Sequence, residues 1–142
     1  MQSPISRNEK AQRTQWAAQF LAASELVRQY YVVSFTMGNN TPDADLMVGT
    51  QGGKQFWVDV KGLSKNNAWL IKKKHERLNL YYVLVRVGEV RDEDRFFILP
   101  QSEMNKLLDK SKLERRCCTI RSIALICVVG CFWLRRGPPP AN

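Results

Sequence analysis

The hydrophobic positions change period several times along the chain, and each change marks an element. From Asn8 to Tyr30 there is no glycine or proline, and Ala, Gln, Leu and Glu dominate. Trp16, Phe20, Ala23 and Val27 recur at helical spacing, so the stretch predicts an amphipathic first helix with these four as its apolar stripe. Tyr31 to Thr36 is a β-branched and aromatic run and predicts a strand, closed by the turn residues Gly38, Asn39, Asn40, Thr41 and Pro42. Two more strands are expected at Ala44 to Thr50 and Gln55 to Lys61. The Gln51-Gly52-Gly53-Lys54 link between them reads as a hairpin, so this pair should be antiparallel.

A basic stretch without clear periodicity follows, Lys65 to Arg77. Leu80 to Val87 is a strongly apolar strand candidate ended by Gly88, and Phe96 to Leu99 is a short strand that Pro100 should stop. Ser102 and Glu103 open a second helix carrying Met104, Leu107 and Leu108 on one side. The order is mixed α/β, and a chain of 142 residues, 44% hydrophobic, suits one compact domain, placed here at 1–111. The remainder, 112–142, differs in composition: it holds all four cysteines, an apolar run from Ile123 to Leu134 and a Pro-rich tail expected to lack structure.

Charge and cysteine usage narrow the function classes. Lysine and arginine total 22 against 13 acidic residues, a net charge of +9 that favours a polyanionic partner or, more blandly, a solvated basic surface. Cys117, Cys118, Cys127 and Cys131 lack the paired spacing of a structural zinc site, and the rest of the chain has no disulfide framework. A reducing, cytoplasmic setting is expected. Residues 1–10 have no apolar signal core, and Ile123 to Leu134 has the length of a buried segment, so a membrane anchor is not favoured.

Acidic residues stand in the second and third strands where apolar ones are expected. Side chains alternate across a strand, so Asp59 and Lys61 share a face opposite Val58 and Val60. If the hairpin pairs as read, Asp45 lies near Asp59, and two carboxylates converge with one ammonium. Such a group suits a hard divalent cation, which offsets charge on a phosphate and acidifies a bound water. Lys61 would orient that water or stabilise the transition-state charge. Asp43 shares a face with Asp45 and directly follows Pro42, but Asp45 leads into the apolar Leu46-Met47-Val48 and is placed inside the strand. An innocent surface ion pair on an exposed strand is the alternative reading of Asp59 and Lys61.

The order of Asp45, a hairpin and Asp59-Val60-Lys61, after a helix and a strand, resembles the PD-(D/E)XK or restriction-endonuclease-like superfamily over about Trp16 to Leu108. The resemblance implies an αβββαβ core, a mixed sheet flanked by helices, and metal-dependent cleavage of DNA. Asp45 and Asp59 would then hold Mg²⁺ or Mn²⁺, and Lys61 would be the motif lysine. Gln19 occupies the position matched to an acid that many members carry on the first helix, while Glu25 points away from the stripe as a solvated residue. Lys65, Lys72, Lys73, Lys74 and Arg77 follow the site, and the four lysines are the expected contacts to DNA phosphates. Trp69 is expected to be buried against the sheet rather than stacked on a base, and His75, the only histidine, to be an exposed surface residue. A double-strand cut would call for a homodimer. The rival class is a nucleic-acid-binding protein that keeps a nuclease fold without cleavage.

Overall fold

Serine 6 starts the first helix: its Oγ accepts a hydrogen bond from the Glu9 amide at 3.2 Å, satisfying one of the unpaired donors of the first turn. In the computed structural model, which describes residues 5–36, 44–65, 69, 71–90 and 93–113, helix α1 runs Arg7–Arg28. It closes with Tyr30 at φ 66°. The Tyr30 amide donates to Val27 O and the Tyr31 amide to Leu26 O, a Schellman closure in which tyrosine holds the left-handed position usually given to glycine. Strand β1 (Val32–Phe35) follows, then β2 (Leu46–Gly49), β3 (Gln55–Leu63), β4 (Leu80–Arg86), β5 (Arg95–Pro100) and helix α2 (Gln101–Leu113).

The five strands form one mixed sheet in the order β1-β2-β3-β4-β5. Strands β1, β2 and β3 make an antiparallel meander, with Gly53 at φ 78° in the turn between β2 and β3, as the Gly52-Gly53 hairpin implies. Strand β4 lies parallel to β3, and β5 is antiparallel to β4. Parallel neighbours require a crossover, and among its described residues 64, 65, 69 and 71–79 it contains no helix. Trp69 is buried on the α2 side of the sheet, edge-on to Phe97 at 5.7 Å, so this connection contributes to the core as expected of its tryptophan.

Alternation in β4 shows how the layers form. Val83 and Val85 join Leu46, Val48, Val58 and Val60 beneath α1, whereas Tyr82 and Leu84 join Leu99, Trp69 and the α2 residues Met104 and Leu108. A strand buried on both faces needs a nearly continuous apolar run, which Leu80 to Val85 supplies. Among the described residues, one helix therefore covers each face. No helix among the described residues is long and apolar enough to cross a membrane.

The face of α1 departs from the expected stripe. Trp16, Phe20 and Val27 are 38%, 58% and 55% exposed, and the buried face is Ala18, Gln19, Ala22, Ala23 and Leu26. Small residues win because the helix approaches β3 closely: a Cβ on Gly62 would stand 2.8 Å from both the Ala18 Cβ and the Thr14 carbonyl oxygen. Trp16 and Phe20 instead stack on each other along the helix flank, with Phe20 meeting Phe35 of β1. The expected turn at 38–42, Asp43, the four cysteines and the run Ile123 to Leu134 lie outside the described residues.

Candidate functional site

Strand β3 outruns β2. Its residues Gln55 to Val58 pair with β2, but beyond Val58 the β2 side of β3 has no strand partner among the described residues, and its backbone groups need other acceptors and donors. Asp45 and α1 supply them. The Asp45 amide donates to Val58 O at 2.9 Å, and its Oδ2 accepts from the Val60 amide at 2.7 Å. Gln15 then takes both remaining contacts, its Nε2 donating to Val60 O at 2.8 Å and its Oε1 accepting from the Gly62 amide at 3.0 Å.

This arrangement moves Asp45 out of the strand in which it was expected. Strand β2 begins at Leu46, and Asp45 is a bend directly ahead of it, although the Thr36 amide still donates to its carbonyl. The bend lets the carboxylate turn along β3 and cap Val60. The register that pairs Leu46 with Val58 nevertheless carries Asp45 opposite Asp59.

Asp59 is only 1% exposed, on the central part of β3, with its oxygens shared between two ammonium groups. Lys61 Nζ lies 2.6 Å from Oδ1 and Lys74 Nζ 2.5 Å from Oδ2. A buried carboxylate requires such partners, because an unpaired charge removed from water is strongly disfavoured. Lys61 reaches Asp59 because residues two apart share a strand face. Lys74 arrives from the crossover, fifteen residues further along the chain.

Gln19, 5% exposed, closes the group from α1: its Nε2 donates to Asp45 Oδ1 at 2.8 Å. Burial raises the Asp45 pKa above its ordinary 3.8; the Val60 amide opposes this, the Asp59 charge adds to it, and Lys61 and Lys74 counter it. Asp45, Asp59, Lys61, Lys74, Gln19, Gln15, Gln12 and Ala44 line one cavity of about 290 Å³.

The expected residues Asp45, Asp59, Lys61 and Gln19 are thus gathered at a single cavity. The four lysines expected on DNA divide. Lys65 and Lys72 are exposed and do not line the cavity, and Lys73, also exposed, pairs with Asp109 at 2.6 Å. Lys74 is the exception, since it enters the cavity and binds Asp59. Arg77 sits over the Trp57 ring, 4.7 Å from its centroid, and the His75 side chain is exposed. Gln15 was not singled out from the sequence. Its signal was there: Gln15 and Gln19 are spaced i, i+4 on the same face as Ala18 and Ala22.

Among the described residues, Asp45 and Asp59 are the carboxylates that line the cavity, and there is no group of three or more His, Cys, Asp or Glu that could hold a metal ion. No known protein family, curated protein or solved structure matches the chain.

Proposed function

We propose that this protein is a metal-dependent DNA endonuclease of the PD-(D/E)XK kind. The observation that carries the reading is the convergence of Asp45, from the bend ahead of β2, with Asp59 and Lys61 of β3 on one polar cavity. The α1-β1-β2-β3 order and the parallel β4 support a restriction-endonuclease-like core, with a crossover whose described residues are not helical in place of the middle helix of αβββαβ.

The donor set fits a hard cation. Mg²⁺ favours oxygen ligands and commonly takes one or two protein carboxylates, leaving its other positions to water and substrate phosphate. Asp45 and Asp59 would hold it. When bound, such a cation would neutralise phosphate charge and acidify water.

The chain's own residues would do the rest. Lys61, on the same strand face as Asp59, orients the attacking water or stabilises the added charge of the transition state. Gln19 keeps the Asp45 carboxylate fixed through its amide. The net charge of +9 and the exposed Lys65 and Lys72 favour an extended polyanion as substrate. A double-strand cut would use a homodimer, one site for each strand.

The test is plasmid nicking by purified protein with Mg²⁺ or Mn²⁺. Asp59→Ala and Lys61→Ala should abolish it while circular dichroism reports an unchanged fold; undiminished nicking by either variant removes the assignment. A second reading, a DNA-binding protein without cleavage, is favoured by the amide of Gln19 standing where the resemblance implies an acid. It requires salt-sensitive DNA binding that is indifferent to chelators.

A further inference from the structure

Both oxygens of Asp59 are already engaged by cations of the protein itself. Lys61 holds Oδ1 and Lys74 holds Oδ2, at 2.6 and 2.5 Å, and both ammonium groups reach the same cavity. The formal charges of Asp45, Asp59, Lys61 and Lys74 cancel. A neutral cluster offers a divalent cation little net attraction, and a nearby like charge opposes its binding as it opposes protonation. One ammonium must therefore withdraw if Asp59 is to take a metal.

The two lysines are not equivalent candidates. Lys61 is anchored on β3, in register with Leu84 of β4 and two residues from Asp59, so its backbone is held within the sheet. Lys74 reaches in from a crossover segment whose described residues belong to no helix or strand, beside the exposed Lys72 and Lys73. Its side chain is about one third exposed, as is that of Lys61, so what distinguishes Lys74 is a backbone that lies outside the sheet.

We infer, on the nuclease reading above, that Lys74 is a displaceable counter-ion: it neutralises the buried Asp59 carboxylate, releases Oδ2 when the site takes a divalent cation, and then pairs with a phosphate of the substrate backbone. Lys74 would thereby link loading of the cavity to engagement of a phosphodiester. The exchange is ionic throughout, with no bond made or broken. It also gives a reason for two ammonium groups at one carboxylate, where a motif lysine alone would need only one.

The experiment is a Mn²⁺ titration of the full chain, followed by electron paramagnetic resonance of free Mn²⁺, on wild type, Lys74→Met and Lys73→Met. Lys73→Met removes the same charge from the same segment, but its partner is Asp109. Lys74→Met should bind Mn²⁺ about tenfold or more tightly than wild type, the size expected for removing one adjacent like charge. Lys73→Met should match wild type. A Lys74→Met affinity no better than that of Lys73→Met overturns the inference and leaves the nuclease reading standing. If neither wild type nor Lys74→Met binds Mn²⁺, both fall.

A measurement on the unmutated chain covers the case in which Lys74→Met does not fold. Lysine acylation mapped by mass spectrometry should show Lys74 becoming more reactive on addition of Mn²⁺, with Lys73 unchanged. Unaltered Lys74 reactivity at saturating Mn²⁺ overturns the inference.

Discussion

Gln19 on α1 and Asp45 ahead of β2 are joined across the candidate site by a hydrogen bond of 2.8 Å, with the amide donating to the carboxylate. Replacing the donor with a second carboxylate reverses the interaction while keeping the shape. Gln19→Glu should therefore lower stability in chelator by roughly 2 kcal/mol, the scale of a hydrogen bond to a charged group. Added Mn²⁺ should recover much of this, because the variant adds a carboxylate beside those of Asp45 and Asp59. Thermal unfolding with and without Mn²⁺ checks both parts, and a variant as stable as wild type in chelator would show that the Gln19 contact carries no weight.

Asp45 makes its own contribution to pH dependence. Its folded-state pKa lies above the ordinary value of 3.8, chiefly through burial. Below that value the carboxyl is protonated in both states. As pH rises, the unfolded chain releases its proton first, so stability falls until the folded carboxyl has ionised too. Asp45→Asn removes this loss: its oxygen can still accept from the Val60 amide, and a reversed Gln19 amide can accept from its nitrogen. The variant should match wild type at low pH and gain on it as pH rises toward neutrality. Urea unfolding from pH 3 to 7 measures the difference; an advantage independent of pH would rule out the Asp45 charge as its source.

Legibility in the sequence followed periodicity. The strands and their hairpin were readable because alternation and β-branching are local signals, and Asp59 with Lys61 was readable because a spacing of two settles their common face. The α1 face was misread because Trp16 and Phe20 outweigh Ala18 and Ala22 on any scale of hydrophobicity, whereas closeness to Gly62 selects the small residues. The contact of Lys74 with Asp59 was not legible for a different reason. It lies in a segment without period, and only the crossover from β3 to β4 brings it back over Asp59.

Tyr82 offers a second pH-dependent test, on the α2 side of the sheet. Its side chain is wholly buried, and its hydroxyl has no hydrogen-bond partner among the described residues. Burial, reinforced by the Asp59 charge, pushes its pKa up to about 12. Tyr82→Phe should raise stability at neutral pH by roughly 1 kcal/mol, the lower end of the penalty for an unsatisfied buried polar group. The gain should widen above pH 10, where the unfolded phenol ionises and the folded one does not. Urea unfolding at pH 7 and 10.5 measures both, and a destabilised variant would mean that the hydroxyl is bonded after all.

Gly62 ties the packing of α1 to the chemistry of the cavity. A methyl group there would meet the Thr14 carbonyl oxygen and the Ala18 Cβ at 2.8 Å, and the Thr14 contact is with backbone that no rotamer change can move. Gly62→Ala must push α1 away from β3, at a cost of about 1–3 kcal/mol for overpacking. The displacement falls on the segment that holds Gln15 against Gly62 and Val60, and one helical turn on, Gln19 against Asp45. Cation affinity should fall along with stability. Ala18→Gly relieves one of the two clashes but weakens the helix by about 1 kcal/mol, so the double variant should recover only part of the loss. Thermal unfolding of both single variants and the double variant, with Mn²⁺ titration of each, distinguishes this from a purely local strain: a Gly62→Ala protein with wild-type cation affinity would show that the cavity does not depend on how closely α1 lies on β3.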